Sequence, residues 1–282
     1  MKKLTDSFVL SNGVKIPCIG FGTWQAPDGE VAVEAVKNAL AAGYRHIDTA
    51  AIYRNEESVG RAIKESKIPR EEIFVTTKLW NKCRSYELAY SAFERSLSKL
   101  GLDYVDLYLI HWPASPAEYE NFDEINLDAW KAITEIYKSG KIRAIGVSNF
   151  LPHHLESLMK TEVAPMVKQI EFNPGYMQSE AVEYCKKNGI AVEAWSPLGS
   201  GRVLSDERLL KLAEKYGKSV AQICVRWCLQ NGALPLPKSV TPSRITDNAD
   251  VFDFEISAED MAYINSFETF GESGFHPDMP GS

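Results

Sequence analysis

Eight short apolar runs, each followed by an amphipathic helical pattern, organise this chain from residue 19 onward. The runs are Ile19–Gly22, His46–Thr49, Ile73–Thr77, Val105–Ile110, Ala144–Ser148, Val167–Glu171, Ala191–Trp195 and Leu234–Pro237. Several are continuously apolar rather than alternating, as strands buried on both faces require. The helical period predicts helices over Glu30–Ala42, Glu57–Ser66, Tyr86–Leu100, Leu127–Ser139, Pro152–Lys160 and Ser179–Lys187, with two more inside Asp206–Leu229. Ser243–Asp250 and Ala258–Phe267 follow the last strand. Gly43, Gly140 and Gly189 stop helices.

Strand–helix units repeated eight times, without linker or low-complexity stretch, predict an α/β chain folded as a single (β/α)8 TIM barrel over 1–282, with two helices beyond the eight. Phe8–Pro17 reads as an N-terminal hairpin turned by Asn12-Gly13, placed to cap the barrel. A doubly wound sheet is the rival, but it would need a glycine-rich dinucleotide turn after its first strand. Gly20-Phe21-Gly22-Thr23-Trp24 does not fit GxGxxG, and Gly199-Ser200-Gly201 is too short.

Composition narrows the function. An apolar fraction of 45% in 282 residues supports a substantial core. A net charge of −7 with no basic block argues against nucleic acid, while a few local cations still suffice for a phosphate. No run has the length of a signal peptide or membrane span, so a cytoplasmic protein is expected. Cys18, Cys83, Cys185, Cys224 and Cys228 are scattered and read as reduced, mostly buried thiols. His153 and His154 have no acid or cysteine at ligand spacing, so no metal site is expected.

In a barrel, chemistry lies just past the carboxyl ends of the strands. Those ends carry Gly22-Thr23-Trp24, Asp48 with Tyr53, Lys78-Leu79-Trp80, His111-Trp112, Ser148-Asn149, Gln169 with Tyr176, Trp195-Ser196 and Lys238-Ser239. Four of the six tryptophans fall there, enough to wall a pocket; Trp130 and Trp227 read as helix-face core. Taken singly, Asp48 is a loop acid, Lys78 a surface lysine, Tyr53 a packed ring and His111 a bonded core histidine. Together, at the ends of three successive strands, they read as one catalytic cluster. A phenol with a pKa near 10 is a weak acid, and lowering that by about three needs roughly 4 kcal/mol. One ammonium at about 4 Å supplies that order of energy at an effective dielectric near 20. Lys78 is therefore expected to acidify Tyr53, with Asp48 holding Lys78 charged and His111 pointing a substrate oxygen at the phenol. The cluster is a proton donor without a strong nucleophile, so it needs a partner that supplies electrons.

Three stretches are similar to the signatures of the aldo-keto reductases: Gly43-Tyr44-Arg45-His46-Ile47-Asp48-Thr49-Ala50 with Glu56 and Val59-Gly60; Lys141 to Phe150; and Leu236-Pro237-Lys238-Ser239 with Arg244 and Asn248. The wording EAWSPLG around Trp195 resembles the prokaryotic branch that includes 2,5-diketogluconate, glyoxal and prostaglandin F reductases. The resemblance implies extended binding of NADPH/NADP+ and reduction of a small carbonyl substrate, with Asp48, Tyr53, Lys78 and His111 as the catalytic tetrad. It implies cofactor contacts from Gly22, Thr23, Trp24, Asp48, Ser148, Asn149 and Gln169. It extends them to Trp195, Ser196, Leu198, Ser200, Lys238, Ser239, Val240, Arg244 and Asn248. Within these, Ser148, Asn149 and Gln169 hold the carboxamide and Trp195 stacks on the ring. Lys238, Ser239 and Arg244 grip the 2′-phosphate. Substrate would meet Trp24, Tyr53, Trp80, His111 and Trp112. Family members are often monomers, and a monomer without membrane or nucleic-acid partner is expected.

Departures from the family pattern are Asp247 in place of glutamate, Lys168 in place of asparagine and Asn173 in place of histidine. Two other readings stand beside the reductase. One is a cofactor-binding barrel that acts as a non-catalytic binding or structural subunit, against which the intact tetrad argues. The other is a hydrolase with paired carboxylates across the pocket, where the pattern offers one acid already committed to a lysine. The tail, Gly271 to Ser282, reads equally as a loose end or a lid.

Overall fold

The computed structural model describes residues 1–279. A two-stranded hairpin, β1 (Ser7–Val9) and β2 (Lys15–Pro17), precedes the barrel. Its turn is closed by Gly13 N donating to Leu10 O at 2.8 Å, with Gly13 at φ 85. Asn12 caps Val14 and also donates to Arg143 O at 2.9 Å, which ties the hairpin to the amino end of a barrel strand.

The eight barrel strands are β3 (Phe21–Gly22), β4 (His46–Asp48), β5 (Phe74–Leu79), β6 (Val105–Ile110), β7 (Ile142–Ser148), β8 (Val167–Glu171), β9 (Ala191–Trp195) and β10 (Ala233–Pro235). All neighbouring pairs are parallel and in sequence order. Backbone bonds from Gly20 N to Pro235 O (3.0 Å) and Gly22 N to Pro237 O (3.1 Å) join the first strand to the last and close the ring. Gly20 permits that approach: a Cβ there would lie 2.4 Å from Leu236 and 2.6 Å from the His46 ring.

Around the strands run α1 (Glu30–Ala41), α2 (Glu56–Ser66), α3 (Tyr86–Leu100), α4 (Phe122–Lys138), α5 (Pro152–Leu158), α6 (Ser179–Lys187), α7 (Glu207–Tyr216), α8 (Val220–Gln230), α9 (Pro242–Ala249) and α10 (Ala258–Asn265). The expected elements are present, most within a few residues of the expected ends. The largest difference is at α4, which starts five residues before Leu127; other ends move by at most two, as at β5, which runs on through Lys78 and Leu79 rather than stopping at Thr77. Phe122-Asp123-Glu124 has an acidic first turn that favours helix, but lacks the apolar period that marks the later part. Trp130 and Trp227 are fully buried, each donating its indole N–H, to Val163 O (2.9 Å) and Asn265 Oδ1 (2.7 Å).

Candidate active site

Lys78 is in the last turn of the pleat of β5 and its side chain has no exposed surface. An ammonium has three donors, and here each has a partner. Nζ donates to Asp48 Oδ1 at 2.6 Å, to the Thr49 carbonyl at 2.9 Å and to Tyr53 Oη at 3.4 Å. Asp48 ends β4, one strand away. Tyr53 follows on a short 3-10 turn, Ala51–Tyr53, whose exit residue Arg54 takes a left-handed φ of 58. His111, first residue after β6, meets the Tyr53 ring edge-on at 5.7 Å and the Trp80 ring at the same distance. The structure thus brings the four expected residues together.

Their electrostatics differ from expectation at one point. Burial opposes the charge on Lys78, but Asp48 and then Tyr53 outweigh it, and its pKa lies above the usual lysine value. Burial also raises the Tyr53 phenol; the ammonium pulls it down, yet the net direction is up, not down as the sequence reading held. The 3.4 Å bond is long, and the Asp48 carboxylate, which itself raises the phenol, offsets part of the ammonium's field. Tyr53 is thus a neutral hydroxyl with a proton to give. Burial, then Lys78, hold His111 well below the usual histidine value, so its ring is a neutral imidazole with one N–H. Its Nδ1 has no partner among the described residues.

Ser148 ends β7, and Asn149 follows it in the left-handed region at φ 63. The Asn149 amide donates to His111 O (2.9 Å) and Ser148 Oγ (3.1 Å), and its oxygen accepts the Trp195 indole N–H (2.8 Å). Gln169 donates to Asp48 Oδ2 at 2.9 Å, leaving its Oε1 without a partner among the described residues. Thr23 closes onto β4, its N and Oγ1 both bonding the Asp48 carbonyl at 3.0 and 2.9 Å. Trp24 is 40% exposed, Trp80 and Trp112 are half-buried, and Phe275 from the tail meets Trp112 at 6.2 Å. Gly22 is fully enclosed at the strand end.

Beyond β10, Lys238 Nζ reaches the Gln25 carbonyl at 3.1 Å and Ser239 Oγ accepts from Thr241 N at 3.0 Å. Val240 and Arg244 are exposed beside the start of α9, and Arg244 has no partner among the described residues; Asn248 is buried one turn on. Two cations at a proline-initiated helix start suit an anion. Ser196 and Ser200 have φ values of 49 and 52 and share a 2.9 Å hydroxyl contact, with half-buried Leu198 between them. Such strained non-glycine residues concentrate at functional loops.

Several contributors escaped the sequence reading. Glu193, inside β9, accepts the second Gln169 N–H at 2.8 Å, so the site holds a second buried acid where one was expected. An acid in the middle of an apolar strand was the signal available. Asn55 pins Thr23 O and Ala26 O to Thr49 Oγ1, locking the first two strand-end loops together. Glu171 binds Arg202 at 2.9 Å and Ser273 twice, and Arg202 also bonds Gly271 O, so the tail is strapped to the carboxyl face at Gly271 and Ser273. The end of the tail, 280–282, lies outside the described residues. Asn173 joins this clasp through Gly175 N and Gly271 O. Asp278 lies 3.2 Å from His153 and 2.9 Å from His154, an acid companion that sequence spacing hid. His154 Nδ1 accepts from Leu151 N, which puts the ring proton on Nε2 facing Asp278; metal-bound histidines donate from the second nitrogen instead.

Comparison with known proteins agrees with this geometry. The model of the aldo/keto reductase family matches residues 18–269. Glyoxal reductase of Bacillus subtilis is 51% identical over 276 residues, covering 98% of this chain and 97% of that protein. The crystal structure of MGS-M4, an aldo-keto reductase enzyme from a Medee basin deep-sea metagenome library, superposes with a TM-score of 0.91 at 47% identity, covering 98% and 100%. That of a Bombyx mori aldo-keto reductase in complex with NADP has a TM-score of 0.86 at 40% identity, covering 94% and 93%.

Proposed function

The chain belongs to the aldo/keto reductase family, and from that premise we propose which residues carry the NADPH-dependent reduction of aldehydes and ketones that it catalyses. The site fits the cofactor on its own terms. Gln169 Oε1 is a partnerless acceptor for a carboxamide N–H, and Lys238 and Arg244 are cations at a helix start suited to a phosphate. Ser148, Asn149, Gln169 and Trp195 would hold the nicotinamide end, and Lys238, Ser239, Arg244 and Asn248 the adenosine end. When bound, NADPH supplies the hydride.

Tyr53 gives the proton. Its hydroxyl stays protonated, and an alkoxide is a stronger base than a phenolate, so the transfer is downhill once charge develops on the substrate oxygen. Lys78 steadies the phenolate left behind, and Asp48 keeps Lys78 charged and aimed. The neutral His111 ring offers an N–H to the carbonyl oxygen, and Trp24, Trp80 and Trp112 exclude water around it. The observation that carries this reading is the Asp48–Lys78–Tyr53 chain, with every ammonium hydrogen assigned.

Tyr53→Phe tests it. Reduction of a short aldehyde or dicarbonyl should fall about 10²- to 10⁴-fold, the usual worth of a placed proton donor. NADPH should still quench tryptophan fluorescence with little change in Kd; turnover within a few-fold of wild type rules Tyr53 out. The four clustered residues and the Gly271–Ser273 strap come from one chain, which supports a one-domain monomer as the working unit. No helix among the described residues is long and apolar enough to cross a membrane, and a cytoplasmic location is our reading.

A further inference from the structure

Glu193 is 1% exposed inside the barrel, paired in register with Gln169 on β8 and Leu234 on β10. The Gln169 amide nitrogen has two hydrogens, and both are taken by acids: Asp48 Oδ2 at 2.9 Å and Glu193 Oε2 at 2.8 Å. Asp48 is a lysine-paired carboxylate that can only accept, so this pair dictates which way the Gln169 amide is turned. Its oxygen is the atom left over. Glu193 Oε1 has no hydrogen-bond partner among the described residues and lies 3.8 Å from His46 Nε2 across the barrel.

We propose that Glu193 is a proton-linked positioning residue. It turns the Gln169 carbonyl toward the nicotinamide carboxamide, and by losing its proton it adds a negative charge beside the residue that would hold the nicotinamide end. This rests on the reading that Gln169 holds the nicotinamide end. Burial, then Asp48, push the Glu193 carboxyl up to about 8, against Gln169 and Lys78. The groups facing it are His46 and Asp48 from β4, Lys78 from β5 and Gln169 from β8; Ala233–Pro235 of β10 brings no titratable side chain. His46 is held down at about 3, and Lys78 and Tyr53 lie above their usual values. Between about pH 6.5 and 9.5, then, Glu193 is the member of this group that changes charge.

Oxidised nicotinamide is a cation and reduced nicotinamide is neutral. A charge gained by Glu193 therefore favours NADP+ over NADPH, whereas titration of the 2′-phosphate is common to both and cancels in their ratio. Fluorescence titration of both cofactors from about pH 6.5 to 9.5 reads this out. In the wild type, Kd(NADP+)/Kd(NADPH) should fall by at least about threefold with a midpoint near 8. In Glu193→Gln, a neutral isostere, the ratio should stay flat at the low-pH value. A flat wild-type ratio, or the same midpoint in the variant, overturns the proposal. If the variant does not fold, wild-type calorimetry in buffers of different ionisation enthalpy decides. NADP+ binding near pH 8 must release protons that NADPH binding does not, and equal release overturns the proposal. Failure of both forms to bind would instead overturn the nicotinamide reading on which it rests.

Discussion

Lys78 and Lys168 show how differently one residue type behaves at two buried positions. Lys78 has a partner for each hydrogen and keeps its charge. Lys168, its side chain also without exposed surface, has no hydrogen-bond partner for Nζ among the described residues, and burial pushes its pKa below the usual lysine value, with Cys185 and Glu180 acting the other way. A group whose folded pKa is depressed is protonated more readily in the unfolded chain, so stability rises as pH climbs toward 10.5 and is lost as pH falls through the folded value. Lys168→Met, which keeps the stem and removes the amine, should stabilise the protein by about 1–3 kcal/mol at neutral pH. The gain should shrink toward pH 10.5, and thermal unfolding at a series of pH values measures both. A variant less stable than wild type at pH 7 would show that the amine has a partner.

At the scale of elements, α2 and α3 meet more closely than side chains allow. A Cβ on Gly60 would lie 2.0 Å from the Leu100 carbonyl oxygen, backbone that cannot swing aside. The contact matters to the site because α2 follows the Tyr53 turn, and its Glu56 accepts from Thr77 Oγ1 at 2.7 Å, next to Lys78. Gly60→Ala should cost about 1–3 kcal/mol through overpacking, seen as a lower urea midpoint at unchanged m. An unchanged midpoint would mean that the helices part at no cost.

Across the whole molecule, the carboxyl face gathers residues from both ends of the chain. Gly22 and Pro237 close the ring, and Arg202, Glu171 and Ser273 tie the tail over it. Lys238 follows the strand that pairs with the first, and Arg244 lies in the first turn of α9. Replacing them as Lys238→Met with Arg244→Ala removes the two charged contacts proposed for a 2′-phosphate, each worth about 1.5–3 kcal/mol. Binding of NADPH should weaken at least about tenfold and that of NADH far less. Equal losses, by fluorescence titration, would place the phosphate elsewhere.

The barrel and the meeting of Asp48, Tyr53, Lys78 and His111 were legible in the sequence because both rest on local pattern. Buried parallel strands must be apolar runs, and a barrel delivers Asp48, Lys78 and His111 to one face whatever the exact strand ends. What tertiary structure alone decided were the pairings made across the barrel: Glu193 on Gln169, Glu171 on Ser273, Asp278 on the two histidines. It also decided the sign of the Tyr53 displacement, which depends on how much water is excluded and how far the ammonium stands from the hydroxyl. Spacing along a chain carries no record of either, since desolvation and Coulomb terms follow distances through space.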